Sequence, residues 1–169
     1  MIDWNSVVGK LSNLPGKEIT ADPDKWNPNN PEYKKIYDLW LENKLSLHTM
    51  KWINYYPGLD FSQDIVDQFA REVNLTCARA WISKVPPGYY VAYHWDIDDS
   101  LDEYEKLGKL TRYSCFVTAS LPGQIFVVGT TPLFNQTQGS MFKWSNYKDW
   151  HASTNCGLGD KYIFHFLGY

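Results

Sequence analysis

The sequence predicts helices followed by an antiparallel β jelly roll, and three observations predict it. Before residue 75, apolar residues recur at three- and four-residue spacing, the period of an amphipathic helix. After it the period changes to two, in short runs of aromatic and β-branched residues separated by Gly, Pro and Asn, the pattern of a sandwich or barrel rather than of alternating βαβ units. Aromatic residues make up 17% of the chain, eight Trp, twelve Tyr and eight Phe, and such side chains favour strands and fill sheet cores.

A chain of 169 residues is expected to form one domain, with residues 1–74 as a helical part and 75–169 as the jelly-roll core. That length can bury about 70% of its unfolded surface, and 44% hydrophobic content lies outside the disordered range. The net charge of −3, with no basic stretch, argues against a phosphate-backbone partner, so nucleic acid is not expected. Cys77, Cys115 and Cys156 are odd in number and form no Cys-x-x-Cys pair. Together with an N-terminus lacking a basic region and apolar run, they suggest reduced thiols in the cytoplasm. No apolar run reaches the length that crosses a bilayer.

Within residues 1–14, Asp3 can cap a helix whose Val7, Val8, Leu11 and Leu14 share a side, and Pro15-Gly16 ends it. Residues 17–31, with three prolines, read as a loop. A helix over 31–44 starts at Pro31 with Asn30 as cap, and its stripe is Tyr33, Ile36, Tyr37, Trp40 and Leu41. Residues 45–58 fit neither period. A third helix, 61–73, is capped by Asp60 or Ser62 and buries Ile65, Val66, Phe69, Ala70 and Val73. Strands are predicted at 75–82, 89–93, 110–118, 124–129, 140–144 and 161–167, with the acidic stretch 97–108 as an exposed loop or short helix.

The strand at 89–93 runs into Tyr93-His94-Trp95-Asp96. Side chains alternate along a strand, so His94 and Asp96 leave it on one side, about 7 Å apart at Cα. An imidazole and a carboxylate so placed, joined by a second histidine, make the facial triad that holds non-haem Fe(II) with open positions. A lone His-x-Asp is weak evidence, because a half-exposed strand end produces the same triplet. The second histidine is His151, in the segment between the strands at 140–144 and 161–167, and ten residues past it Lys161 opens the last strand. His165 shares a strand face with Lys161 and competes with His151, but no basic residue follows it. His48 reads as structural, and Asp98 and Asp99 as loop residues. No nucleophile elbow or cysteine signature supports a hydrolase.

The order His94-x-Asp96, His151, then Lys161 within Gly159-Asp160-Lys161-Tyr162-Ile163-Phe164-His165-Phe166 resembles the Fe(II)- and 2-oxoglutarate-dependent oxygenases, and the strand entry Gly139-Ser140-Met141-Phe142 is similar too. His151-x-x-x-Asn155, with Arg112, further resembles the aspartyl/asparaginyl hydroxylase branch. The likeness covers about residues 75–169. It implies a double-stranded β-helix, a cupin-like jelly roll. It also implies His94, Asp96 and His151 as catalytic Fe(II) ligands, and 2-oxoglutarate and O₂ as co-substrates in hydroxylation of a C–H bond, with release of succinate and CO₂.

The same resemblance implies that Lys161 holds the far carboxylate of 2-oxoglutarate. Many members place arginine there, and lysine gives a point charge rather than a bidentate fork. Arg112 is then a candidate for the near carboxylate or a substrate acid, and Ser114, on the Arg112 face, for an added hydrogen bond. Tyr90 and Tyr113 are candidates to meet the co-substrate, Trp95, Trp144 and Trp150 to wall the entrance, and Asn155 to steady the His151 segment. The substrate class left open is a small molecule or a peptidyl side chain. Two other readings compete: a metal-binding cupin without oxygenase activity, and a structural β-sandwich.

Overall fold

The computed structural model describes residues 2–21, 31–96, 103–104, 110–144 and 149–169. The expected Asn30 cap, Asp98, Asp99 and most of the acidic stretch 97–108 lie outside these residues.

Two antiparallel sheets face each other. We number the strands β1 Lys17–Thr20, β2 Lys51–Tyr55, β3 Cys77–Val85, β4 Tyr90–His94, β5 Thr111–Phe116, β6 Gln124–Val128, β7 Thr131–Leu133, β8 Met141–Trp144, β9 His151–Asn155 and β10 Lys161–Gly168. The larger sheet has the order β1-β2-β3-β10-β5-β8 and the smaller β4-β9-β6-β7. From β3 onward, chain order alternates between the two sheets except at the β6–β7 hairpin, as in a double-stranded β-helix.

β10 shows how the layers are held. It lies between β3 and β5, and all eight of its residues are buried. A strand covered on one face alternates apolar and polar; one covered on both does not. Tyr162, Phe164 and Phe166 face outward into the main core, with Trp4, Val7 and Leu11 of helix α1 (Trp4–Leu11) and Val66 and Phe69 of α3 (Gln63–Val73). Phe164 is fully buried, its ring 5.0 Å from Phe69 and 5.6 Å from Trp4. Ile163 points the other way, joining Phe116, Phe126, Val128 and Trp144 between the sheets. Lys161 and His165 share that inner face.

The helices start and stop where side chains supply partners. Asp3 accepts from the Ser6 N–H at the start of α1. Ser62 rather than Asp60 caps α3, which ends on Asn74 in the left-handed conformation. Helix α2, Pro31–Glu42, buries Ile36 and Trp40 against Met50 and Ala92. Leu41, placed on its apolar stripe by spacing, is 48% exposed, and Leu14 falls beyond α1.

The sequence reading also needs correction at the strands. Residues 17–20, read as loop, form edge strand β1. The segment with neither period forms a short 3₁₀ turn, Leu47–Thr49, and then β2. His151 begins strand β9 rather than sitting in a connection, and β7 carries Pro132, which suits an edge strand. Gly123 is fixed by a close approach: at φ +87°, a Cβ there would meet the Cys156–Gly157 backbone at 2.8 Å.

Phe164→Ala removes a ring enclosed by Trp4, Phe61, Phe69 and Phe166, so we expect a loss of about 3–5 kcal/mol in urea-unfolding free energy. A loss below about 1 kcal/mol would mean that the helices do not pack on β10 as described.

Candidate metal centre and its cavity

The pairing of β4 with β9 sets His94 directly opposite His151, with ring centroids 4.2 Å apart. Asp96 follows just past the end of β4. Its Oδ1 lies 3.7 Å from His94 Nε2 and 3.7 Å from His151 Nε2. Ligand atoms of all three residues lie within 4.8 Å of one another, the one such grouping of three among the described residues.

Each ring's other nitrogen fixes its tautomer. His94 Nδ1 donates to the Ala92 carbonyl at 2.6 Å, and His151 Nδ1 donates to the Asp149 carbonyl at 3.0 Å. Both Nε2 atoms therefore carry lone pairs aimed at the same carboxylate oxygen. That is the donor set of a metal site with its outer hydrogen bonds in place. Burial, with the Arg112 charge nearby, lowers His94 to about 4 and holds His151 well below the usual histidine range. The imidazoles are thus neutral at pH 7 and free to ligate.

Arg112 on β5 is 1% exposed. Its guanidinium lies over the Trp144 ring, 4.1 Å from the centroid, and 5.2 Å from that of Trp81. Nη1 forms an ion pair with Asp96 Oδ2, and Nη2 lies 3.1 Å from His165 Nδ1. An arginine only donates, so Nδ1 of His165 is the acceptor and Nε2 carries the proton, donated to Ser83 Oγ at 2.9 Å. Ser114 Oγ also reaches Nδ1, at 3.3 Å. Both nitrogens of His165 are engaged away from the triad. Ser114, expected near the co-substrate, instead buttresses His165.

Lys161 is 2% exposed. Its ammonium donates to the Ile125 carbonyl and to Ser153 Oγ at 2.8 Å, with the Phe126 ring 5.5 Å away. Burial lowers it to about 7. A cavity of about 170 Å³ begins beside Lys161 at Ser153 and Phe126 and reaches past His94, Asp96 and His151 to Trp81 and Arg79, and to Trp52, Asn54 and Tyr56 at the β2 end.

Other sequence candidates fall elsewhere. Tyr90 Oη donates to the Ser46 carbonyl, and the Tyr113 ring packs on Phe69 at 6.0 Å on the outer face. Trp144 packs on His151 at 4.7 Å and walls the centre. Beside it Trp150 stacks on Tyr93 and meets Trp95 edge-on. Asn155 donates to the carbonyls of Val85 and Gly159 and accepts from Gly157, so it pins the β9–β10 turn. His48 lies on the 3₁₀ turn. The sequence reading missed Ser153 and the Arg79, Trp81, Ser83 series. Alternation along β3 and β9 carries both signals.

No family model matches the chain, and no curated protein does. Among solved structures, it is similar to viral collagen prolyl hydroxylase from Paramecium bursaria Chlorella virus-1 in complex with 2OG, at 14% identity over 93% of this chain and 97% of that one, with a TM-score of 0.51. A predicted oxalate decarboxylase from Thermotoga maritima matches 70% of this chain and 80% of its own at 12% identity, TM-score 0.43. At these identities the likeness is one of fold. The chain folds as a double-stranded β-helix, a jelly roll. Among the described residues, no helix is long and apolar enough to cross a membrane.

Burial of neutral histidines ties stability to pH. His94 binds a proton near 4 when folded and near 6.5 when unfolded. Between these values the unfolded chain holds more protons, so stability rises with pH and is lost as pH falls from about 6.5 towards 4. Each histidine kept neutral contributes a slope of up to about 1.4 kcal/mol per pH unit there. Urea unfolding in chelator at pH 5 and 7 should show this loss, and His94→Gln should reduce the slope. An equal slope in that variant would place the titration elsewhere.

Proposed function

We propose that this protein is an Fe(II)- and 2-oxoglutarate-dependent oxygenase that hydroxylates a C–H bond of a small-molecule or peptidyl substrate, using O₂ and releasing succinate and CO₂. The observation that carries the reading is the convergence of His94 Nε2, Asp96 Oδ1 and His151 Nε2, with the buried Lys161 bonded to Ser153, which lines the same cavity. Two neutral nitrogens and one carboxylate suit Fe(II), and such a triad leaves positions open for exchangeable ligands. When bound, the iron supplies the activation of O₂ and the oxidising power; the chain supplies placement and a dry, shaped cavity.

His94 and His151 hold their donor atoms by backbone hydrogen bonds, so little reorganisation accompanies binding. Lys161 provides a cation for the far carboxylate of 2-oxoglutarate. Its pKa near 7 in the absence of an anion supports this role, because a buried ammonium gains most from a carboxylate that neutralises it. Ser153, already in contact with Lys161, is placed to share that carboxylate. Phe126, backed by Trp144, excludes water from the inner end.

The aspartyl/asparaginyl branch gains no support from the site, since Asn155 pins a turn and Arg112 pairs with Asp96. The cupin alternative, metal binding without oxygenase activity, shares the fold and the triad. It gives no role to Lys161.

Anaerobic addition of Fe(II) and 2-oxoglutarate should produce a visible metal-to-ligand charge-transfer band that is absent in Asp96→Ala. Lys161→Met should keep Fe(II) binding and raise the 2-oxoglutarate concentration for half-saturation at least about tenfold, as losing a buried ionic partner does. Iron binding with indifference to 2-oxoglutarate would favour the cupin reading instead.

A further inference from the structure

We propose that Arg112 is a positioning residue for the carboxylate of Asp96, and that His165 fixes Arg112 in that role. The inference rests on the metal-centre reading above and assigns a job to two buried groups that it leaves unused. The two oxygens of Asp96 face different partners. Oδ1 is equidistant, at 3.7 Å, from the two free imidazole nitrogens, and Oδ2 pairs with Arg112 Nη1. A carboxylate free to rotate can offer both oxygens to a cation. Held at Oδ2 by a guanidinium, it offers one. A one-oxygen ligand keeps three positions of an octahedral ion open, where a two-oxygen ligand would close one of them.

The guanidinium cannot follow the carboxylate, because it is fixed from three sides. Trp144 and Trp81 bracket it, and Nη2 is anchored on His165 Nδ1. His165 is itself held on both nitrogens: Ser83 Oγ lies at 2.9 Å from Nε2, Ser114 Oγ at 3.3 Å from Nδ1, and its ring stacks on Trp81 at 4.9 Å. All of β3, β5 and β10 thus bear on the orientation of one ligand. His165 is opposite Trp81 on one side and Ser114 on the other, so the ladder register itself builds the support. Neither Arg112 nor His165 is a catalytic residue in this account; each acts through Asp96.

The test is Co(II) binding, followed by titration and by the visible d–d spectrum, with no turnover involved. The wild-type protein should bind one Co(II). Arg112→Met keeps an apolar side chain between the tryptophans but loses the ion pair. It should bind Co(II) about 10–100-fold more weakly, as changes behind metal ligands do, with a changed band shape. His165→Phe keeps the stack on Trp81 and removes the anchor of Nη2, and should weaken Co(II) several-fold with the same spectral change. It decides the matter if Arg112→Met does not fold. Wild-type-like affinity and spectrum in a folded variant would overturn the proposal with the metal centre intact. Failure of the wild-type protein to bind Co(II) would instead overturn the metal centre.

Discussion

His94 stands opposite His151 because the β4–β9 register shifts by one residue between Val91 and His94; without that shift Tyr93 would face His151 and the His94 imidazole would turn to the other face of the sheet. Most of the site follows from that pairing. Asp96, two residues past His94, then lies between the rings, and Ser153, two residues past His151, lies beside Lys161. The pairing is secured at its far end, where Asn155 ties the β9–β10 turn to β3, and from outside, where Trp40 of α2 donates to the Tyr93 carbonyl. Helix, turn and sheet therefore constrain the same two histidines.

The space between the sheets contains charge where a sandwich core would contain only apolar groups. Arg112 and Lys161 are buried, and burying an ion costs several kcal/mol unless partners compensate. Arg112 has its compensation in Asp96, two indole faces and His165. Among the described residues, Lys161 bonds to a carbonyl and a hydroxyl and to no carboxylate. Arg112 is thus paired with a carboxylate of the protein, whereas these partners of Lys161 are neutral. That contrast separates a structural charge from one suited to a ligand.

Much of this was legible in the sequence, and the failures have a common cause. His94 and Asp96 could be nominated as a His-x-Asp triplet closing an apolar run, and Lys161 by its place at the opening of the last strand. His151 could be nominated only by its order in the chain, because Trp150-His151-Ala152-Ser153-Thr154-Asn155 has too few apolar residues to announce a strand; pairing on both sides, with β4 and β6, makes it one. β1 and β2 were illegible for a similar reason, being sheet additions whose residues, Tyr55 apart, are exposed or half-buried. Arg112 was legible as inward-facing but not as the partner of Asp96, since no local pattern records a contact between β5 and the end of β4. Ser114 followed Arg112 by alternation, and its contact with His165 depends on cross-strand register, which one sequence does not display.

The central claim is that His94, Asp96 and His151 ligate one metal ion. Anomalous diffraction from anaerobically grown crystals soaked in Mn(II), a redox-quiet stand-in for Fe(II), tests it most directly. The account predicts a single strong peak bonded to both Nε2 atoms and to Oδ1 of Asp96, with Oδ2 still on Arg112. A peak at another cluster, a site using His165, or no peak at saturating Mn(II) would contradict it.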